Sequence, residues 1–139
     1  MLLLCIISTI HTLDAIGTLI RLLDMGIEPY LVSSSVTGII AQRLIRKICT
    51  DCQGRNKECQ HCLGNGFRGR MGIYEVLRVE EELHPYILNR CSADMMRGYV
   101  KSGGFTPLYS VLQQKVAAGV AESDEFQRYV WYADKTTVV

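Results

Sequence analysis

Residues 49–70 read CTDCQGRNKECQHCLGNGFRGR and carry four thiols: Cys49, Cys52, Cys59 and Cys62. A Cys-x-x-Cys turn offers two soft thiolate donors to one ion. Two such turns complete a tetrahedral sphere and leave no position for water. This pattern points to a structural Zn2+ site with Cys49, Cys52, Cys59 and Cys62 as ligands, not to a catalytic metal. Gly54, Gly64 and Gly66 suit the sharp turns that such knuckles need. Other uses of thiols fit less well. Disulfide frameworks belong to secreted chains, and nothing marks this chain as secreted. A thioredoxin-like redox site uses one Cys-x-x-Cys at a helix start and has no need of two. Cys5 and Cys91 fall outside the cluster and read as packed or half-exposed thiols.

The surrounding chain must hold these knuckles in place. Its 139 residues are enough for a domain with its own core. The 15 Lys+Arg balance 14 Asp+Glu to a net charge of +1, which argues against a nucleic-acid binder with a strongly basic face. A hydrophobic content of 48% marks a globular chain. The opening MLLLCIISTI is about half the length of a bilayer-spanning helix and has no basic residue before its apolar run. It reads as a short buried parallel strand.

Asp14 then caps a helix with Ile16, Leu19, Ile20 and Leu23 on one face, ending at Gly26. Pro29 suits the first turn of a second helix, and the stripe Val32, Val36, Ile40 and Leu44 carries it to about Ile48. After the cysteines, GIYEVLRV predicts a strand. Ser92 caps a helix that stops at Gly103-Gly104, Thr106-Pro107 opens another that stops at Gly119, and Ser123 begins a last helix with Phe126 and Val130 on one side. Glu80, Glu81 and Glu82 form an acidic cluster at a helix start. Arg43, Arg46 and Lys47 complement the carbonyl end of the second helix, and they and Arg68 and Arg70 read as solvated surface or partner contacts. The order of elements is α/β, with a sheet that one strand cannot complete.

CQHCLGNG is locally similar to the repeat of the DnaJ-type zinc domain, which suggests one function: a stand-alone zinc-binding protein-interaction module. A broader resemblance starts at Ile7. STIHTLDAIGTLIRLLDMGIEPYLVSSSVTGIIAQRLIRKIC, followed by the four-cysteine module and GNGFRGRMGIYEVL, resembles the C-terminal part of the traffic ATPases of type II secretion and type IV pilus assembly. It covers roughly residues 3 to 130. The closing QQKVAAGVAESDEFQRYV matches more loosely.

The resemblance implies a fragment of a RecA-like P-loop ATPase core over residues 1–47, a metal-binding module over 48–72 and a helical subdomain over 73–139. It implies a hexamer on the cytoplasmic face of the bacterial inner membrane, attached peripherally with no membrane span of its own, working with inner-membrane platform proteins and hydrolysing ATP with Mg2+. His11, in STIHT, falls on the family's histidine-box position near the nucleotide phosphates. A histidine at the end of a buried strand could sense a γ-phosphate, because strand ends line the ligand crevice of open α/β sheets; it could equally hydrogen-bond a neighbouring loop. No Gly-x-x-x-x-Gly-Lys-Ser/Thr phosphate loop occurs in the sequence, and the acidic residues expected to hold Mg2+ are missing too. His11 alone cannot perform phosphoryl transfer, which depends on positioning and charge neutralisation. The chain is therefore expected to be inactive by itself, as the C-terminal portion of a longer motor.

Overall fold

A computed structural model describes residues 6–128. Helix α1 (Ala15–Asp24) starts where expected, because the Asp14 carboxylate accepts the Gly17 N–H at 2.6 Å and satisfies a donor that the first turn cannot. It stops at Gly26, whose positive φ of 84° lets the chain turn back. Helix α2 (Pro29–Ser35) has proline in its first turn and ends after seven residues.

The expected helix to Ile48 is not formed. From Gly38 to Ile48 the chain is strand β1, paired antiparallel with β2 (Phe67–Arg78). The stripe Val36-Ile40-Leu44 misleads because a spacing of four fits one face of a strand as well as one face of a helix. Alternation decides between them. Ala41 and Ile45 point into the core, while Ile40 and Leu44 face outward at 68% and 57% exposure. The serine run 33–35 and β-branched Val36 and Thr37 favour leaving the helix at that point.

The N-terminal expectation also needs correcting. Residues 1–5 lie outside the described residues. The chain from 6 to 10 is irregular, with Ile6 and Ile7 exposed at 78% and 91%. Among the described residues the only sheet is the two-stranded ribbon, and it is antiparallel.

The GIYEVLRV strand is present as the second half of β2. It leads through a 3-10 turn (Glu81–Leu83) into α3 (His84–Leu88), α4 (Ala93–Ser102) and α5 (Leu108–Ala117). Ser92 caps α4 by accepting the Met95 N–H, as its position predicts. Residues 124–128 form a further helical turn; Val130 lies outside the described residues.

Two apolar clusters sit on the inner face of the ribbon. The larger joins α1, α2, the 3-10 turn, α3 and α4 through Ile16, Leu19, Val32, Leu83, Ile87 and Met96, with Leu77 of β2. The smaller joins Ile45 and Ile73 of the ribbon to Leu108 and Leu112 of α5 and to Ala121. Ala41 touches both clusters.

Between the clusters lies Glu75, a carboxylate only 3% exposed. It accepts the Ala15 N–H at 2.5 Å and the Leu108 N–H at 2.8 Å, the first helical amides of α1 and α5. The positive ends of two helices thus meet one buried negative charge. Ala41, directly opposite on β1, leaves room for it.

Candidate metal centre

Cys49 is the first residue after β1, so the ribbon delivers the first knuckle directly. A register shift between Arg46 and Ile48 turns the end of the strand pair toward it. The Cys49 N–H donates to the Gly66 carbonyl at 2.9 Å, which ties the start of the module to its end.

The two knuckles repeat one backbone plan. After Cys52 come Gln53 and Gly54, and after Cys62 come Leu63 and Gly64, all four with positive φ between 50° and 76°. Arg55 N–H donates to Cys52 O at 3.0 Å, and Asn65 N–H donates to Cys62 O at 3.1 Å. A side chain at Gly64 would run into the Lys57 carbonyl, so glycine is required there for space as well as conformation.

The four sulfur atoms lie within 4.8 Å of one another. Tetrahedral zinc with Zn–S bonds of about 2.3 Å needs sulfurs about 3.8 Å apart, and Cys52 and Cys62 are already at 3.6 Å. Three of the cysteines are buried and Cys52 is half-buried. The donor set and its geometry fit a metal ion, and the cluster can bind one; the residues that would hold it are Cys49, Cys52, Cys59 and Cys62.

The thiols are not equivalent without metal. Burial works against ionising Cys52, but hydrogen bonds from the Asn56 backbone, the Cys62 side chain and the Gly54 backbone bring it down to about 7. At Cys59 the Cys62 backbone amide favours the thiolate. Burial and the neighbouring Cys52 and Cys62 thiols outweigh it and push the group up to about 11. An incoming ion must therefore displace at least the Cys59 proton at neutral pH.

A polar rim surrounds the sulfurs. The Asp51 carboxylate accepts from Cys49 Sγ at 3.8 Å and lies 3.5 Å from Arg68 and 3.7 Å from His61 Nδ1. Arg68 also lies 3.1 Å from His61 Nδ1. Sequence reading gave Arg68 only as surface or a partner contact and passed over Asp51 and His61, although both sit inside the two Cys-x-x-Cys turns. It also passed over Glu75, whose role depends on two helices far from it in the chain. Cys91 is half-buried and apart from the cluster; Cys5 lies outside the described residues.

His11 is not brought to the sulfurs. It is exposed in the irregular segment before α1, and its side chain has no hydrogen bond among the described residues. The backbone around it is held firmly. Arg43 Nη2 donates to the carbonyls of Thr12 and Leu13 at 3.4 and 3.2 Å, and the Thr12 and Thr18 hydroxyls are 2.7 Å apart. Asp14 pairs with Arg97 of α4 at 2.9 Å.

The described residues thus define a small helix-and-strand unit that carries a four-thiol centre at one end of its ribbon. The family model described as "Type II/IV secretion system protein" matches residues 4–128. Similar proteins include the type II secretion system protein E of Pseudomonas aeruginosa, 34% identical over 88% of this chain and 29% of that protein. The type II secretion system ATPase E of Vibrio cholerae is 34% identical, also over 88% and 29%. The type IV pilus assembly ATPase TfpB of Acinetobacter baylyi is 29% identical over 90% of this chain and 26% of that protein. The chain belongs to the type II/IV secretion system protein family, and it spans less than a third of the length of these relatives. Among the described residues no helix is long and apolar enough to cross a membrane.

Proposed function

We propose that this chain is part of a cytoplasmic motor ATPase that powers type II secretion or type IV pilus assembly. In that reading residues 1–47 belong to a RecA-like core, 48–72 are a zinc-holding module and 73–139 are a helical appendage. The motor acts as a hexamer at the inner membrane against platform proteins. The observation that carries this reading is the family match across residues 4–128, which runs through the four-cysteine module. Zn2+ at Cys49, Cys52, Cys59 and Cys62 is structural, since four thiolates leave no open position for water or substrate. It would fix the end of the ribbon against the 120–128 segment, where Ile48 N–H donates to Val120 O at 2.9 Å and Arg46 pairs with buried Glu125 at 2.5 Å.

His11 is proposed as a phosphate sensor that functions only where a phosphate loop is supplied by further polypeptide. This sequence contains no such loop, so the chain by itself turns over no ATP. Elemental analysis of the purified chain should give one zinc per molecule. A phosphate-release assay should stay at blank, and should rise when the ATP-binding portion of a relative is supplied in complex with it. Zinc-free folded protein, or ATP turnover by the chain alone, would overturn the reading.

A further inference from the structure

At the far end of the ribbon from Gly38, beside the metal module, a cavity of about 230 Å³ opens to the surface. Four arginines line it: Arg43 and Arg46 from β1, Arg70 from β2 and Arg128 from the last helical turn; Glu125 is the one acidic residue there. Such a concentration is unexpected in a chain whose net charge is only +1. We propose that this cavity is an oxyanion site that takes the phosphate group of a small ligand.

The charge distribution supports the site. Glu125 is already committed, because one carboxylate oxygen meets Arg46 Nε at 2.5 Å and the other accepts the Arg46 backbone N–H at 3.3 Å. Arg46 is held further by stacking on Phe67, with its guanidinium carbon 3.8 Å from the ring centre. Arg46 is thus paired with Glu125 and held against Phe67. Arg43 is turned to the core side, where it bonds the Thr12 and Leu13 carbonyls. Arg70 and Arg128 form no ion pair among the described residues, so two uncompensated positive charges remain at the cavity. Arg70 stands directly opposite Arg46 in the strand register, and Glu125 balances only Arg46 of the two.

Ligand class follows from geometry. Arg46, Arg70 and Arg128 come from β1, β2 and the last helical turn, so three different elements bring arginines to the cavity. A carboxylate offers two oxygens in one plane and satisfies one fork. A phosphate offers three tetrahedral oxygens and can accept from several forks at once. Arg46 is held by Glu125 and Phe67, and its Nη groups, which make no hydrogen bond among the described residues, are donors that need little further ordering. The site stands whether or not the chain works within a motor.

Isothermal titration calorimetry on the metal-loaded chain, in phosphate-free buffer of low ionic strength, tests the proposal with inorganic phosphate, pyrophosphate, ATP and acetate. Pyrophosphate should bind more tightly than phosphate, and acetate should give no heat. Arg70→Gln and Arg128→Gln should each weaken pyrophosphate about tenfold, the effect of one charge-assisted contact. Arg78→Gln, at the other end of the ribbon, should change nothing. Equal affinities for ATP and pyrophosphate would show that only the phosphates are read, and tighter ATP would show a nucleoside contact beside the same site. In the unsubstituted chain, the 15Nε–H NMR signals of Arg70 and Arg128 should shift with pyrophosphate while those of Arg21 and Arg55 stay still. No heat with pyrophosphate, equal heat with acetate, affinities indifferent to both substitutions, or uniform shifts of all arginine signals would each overturn the proposal.

Discussion

The helical half of the molecule and the cysteine module are held together by different physics. Around α1, α3 and α4, Ile16, Leu19, Leu83, Ile87 and Met96 are almost wholly buried, and order comes from apolar area removed from water. In the module the buried cluster consists of Cys49, Cys59 and Cys62, with Cys52 against them and no aliphatic side chain among them. Its turns are short and rely on residues with positive φ. Three thiols cannot supply what a hydrophobic core supplies, so the module would need a bound ion where the helices would not. One ribbon joins the two, because β1 runs straight into Cys49 and β2 begins just after Gly66.

Metal removal is the largest test of that contrast. Structural zinc contributes on the order of 10 kcal/mol in small apparent-affinity systems. Chelation, or Cys62→Ser, should therefore release the amides of residues 49–66 to rapid hydrogen exchange while α1 and α4 keep their protection. If the α1 and α4 amides lose protection together with the module, the two regions form one cooperative unit and the contrast fails.

Glu75 offers the next largest effect, on the other side of the comparison. Glu75→Ala leaves two buried helix-terminal N–H groups without acceptors, at a cost of about 4 kcal/mol. Glu75→Gln keeps one carbonyl acceptor and loses the charge that meets two helix dipoles, so it should cost about half as much. Thermal unfolding of both variants would measure this. Metal content should be unchanged in each, because Glu75 lies at the seam of the two apolar clusters and away from the sulfurs.

Met96→Ala tests packing alone. Met96 is fully buried against α1 and α3 residues, and truncation should cost about 3 kcal/mol through the cavity it leaves. Urea denaturation should show a lower midpoint with the same slope, and zinc stoichiometry should stay at one. A loss of zinc in this variant would tie the centre to the helical core more tightly than the structure implies.

How much of this could be read from the sequence follows the same division. The clustering of the four thiols was legible because two Cys-x-x-Cys pairs lie close along the chain, and the knuckles were read with their glycines. The caps at Asp14 and Ser92 were legible because capping is a local hydrogen bond. Strand β1 was not, since its outward residues Ile40 and Leu44 are apolar and repeat at a spacing common to both periods. Only its partner, about thirty residues away, settles the choice. Glu75 escaped for a related reason: nothing within β2 reveals that Ala15 and Leu108 will bring their amides to it.

The smallest predicted effect concerns His11, where side chain and backbone behave in opposite ways. The imidazole is exposed and has no hydrogen bond among the described residues, so His11→Ala should change stability by less than about 0.5 kcal/mol. The segment that carries it is anchored through main-chain groups: Arg43 to the Thr12 and Leu13 carbonyls, and Glu75 to the Ala15 N–H. Arg43→Ala should therefore loosen residues 11–13, read as lower backbone order parameters in NMR relaxation, where His11→Ala leaves them unchanged. That outcome would mean the fold holds the histidine's backbone in place while leaving its ring available, as a sensor of a ligand held by other polypeptide requires. Equal loosening in both variants would show instead that the ring takes part in the local fold, and the case for a sensor would lose its structural support.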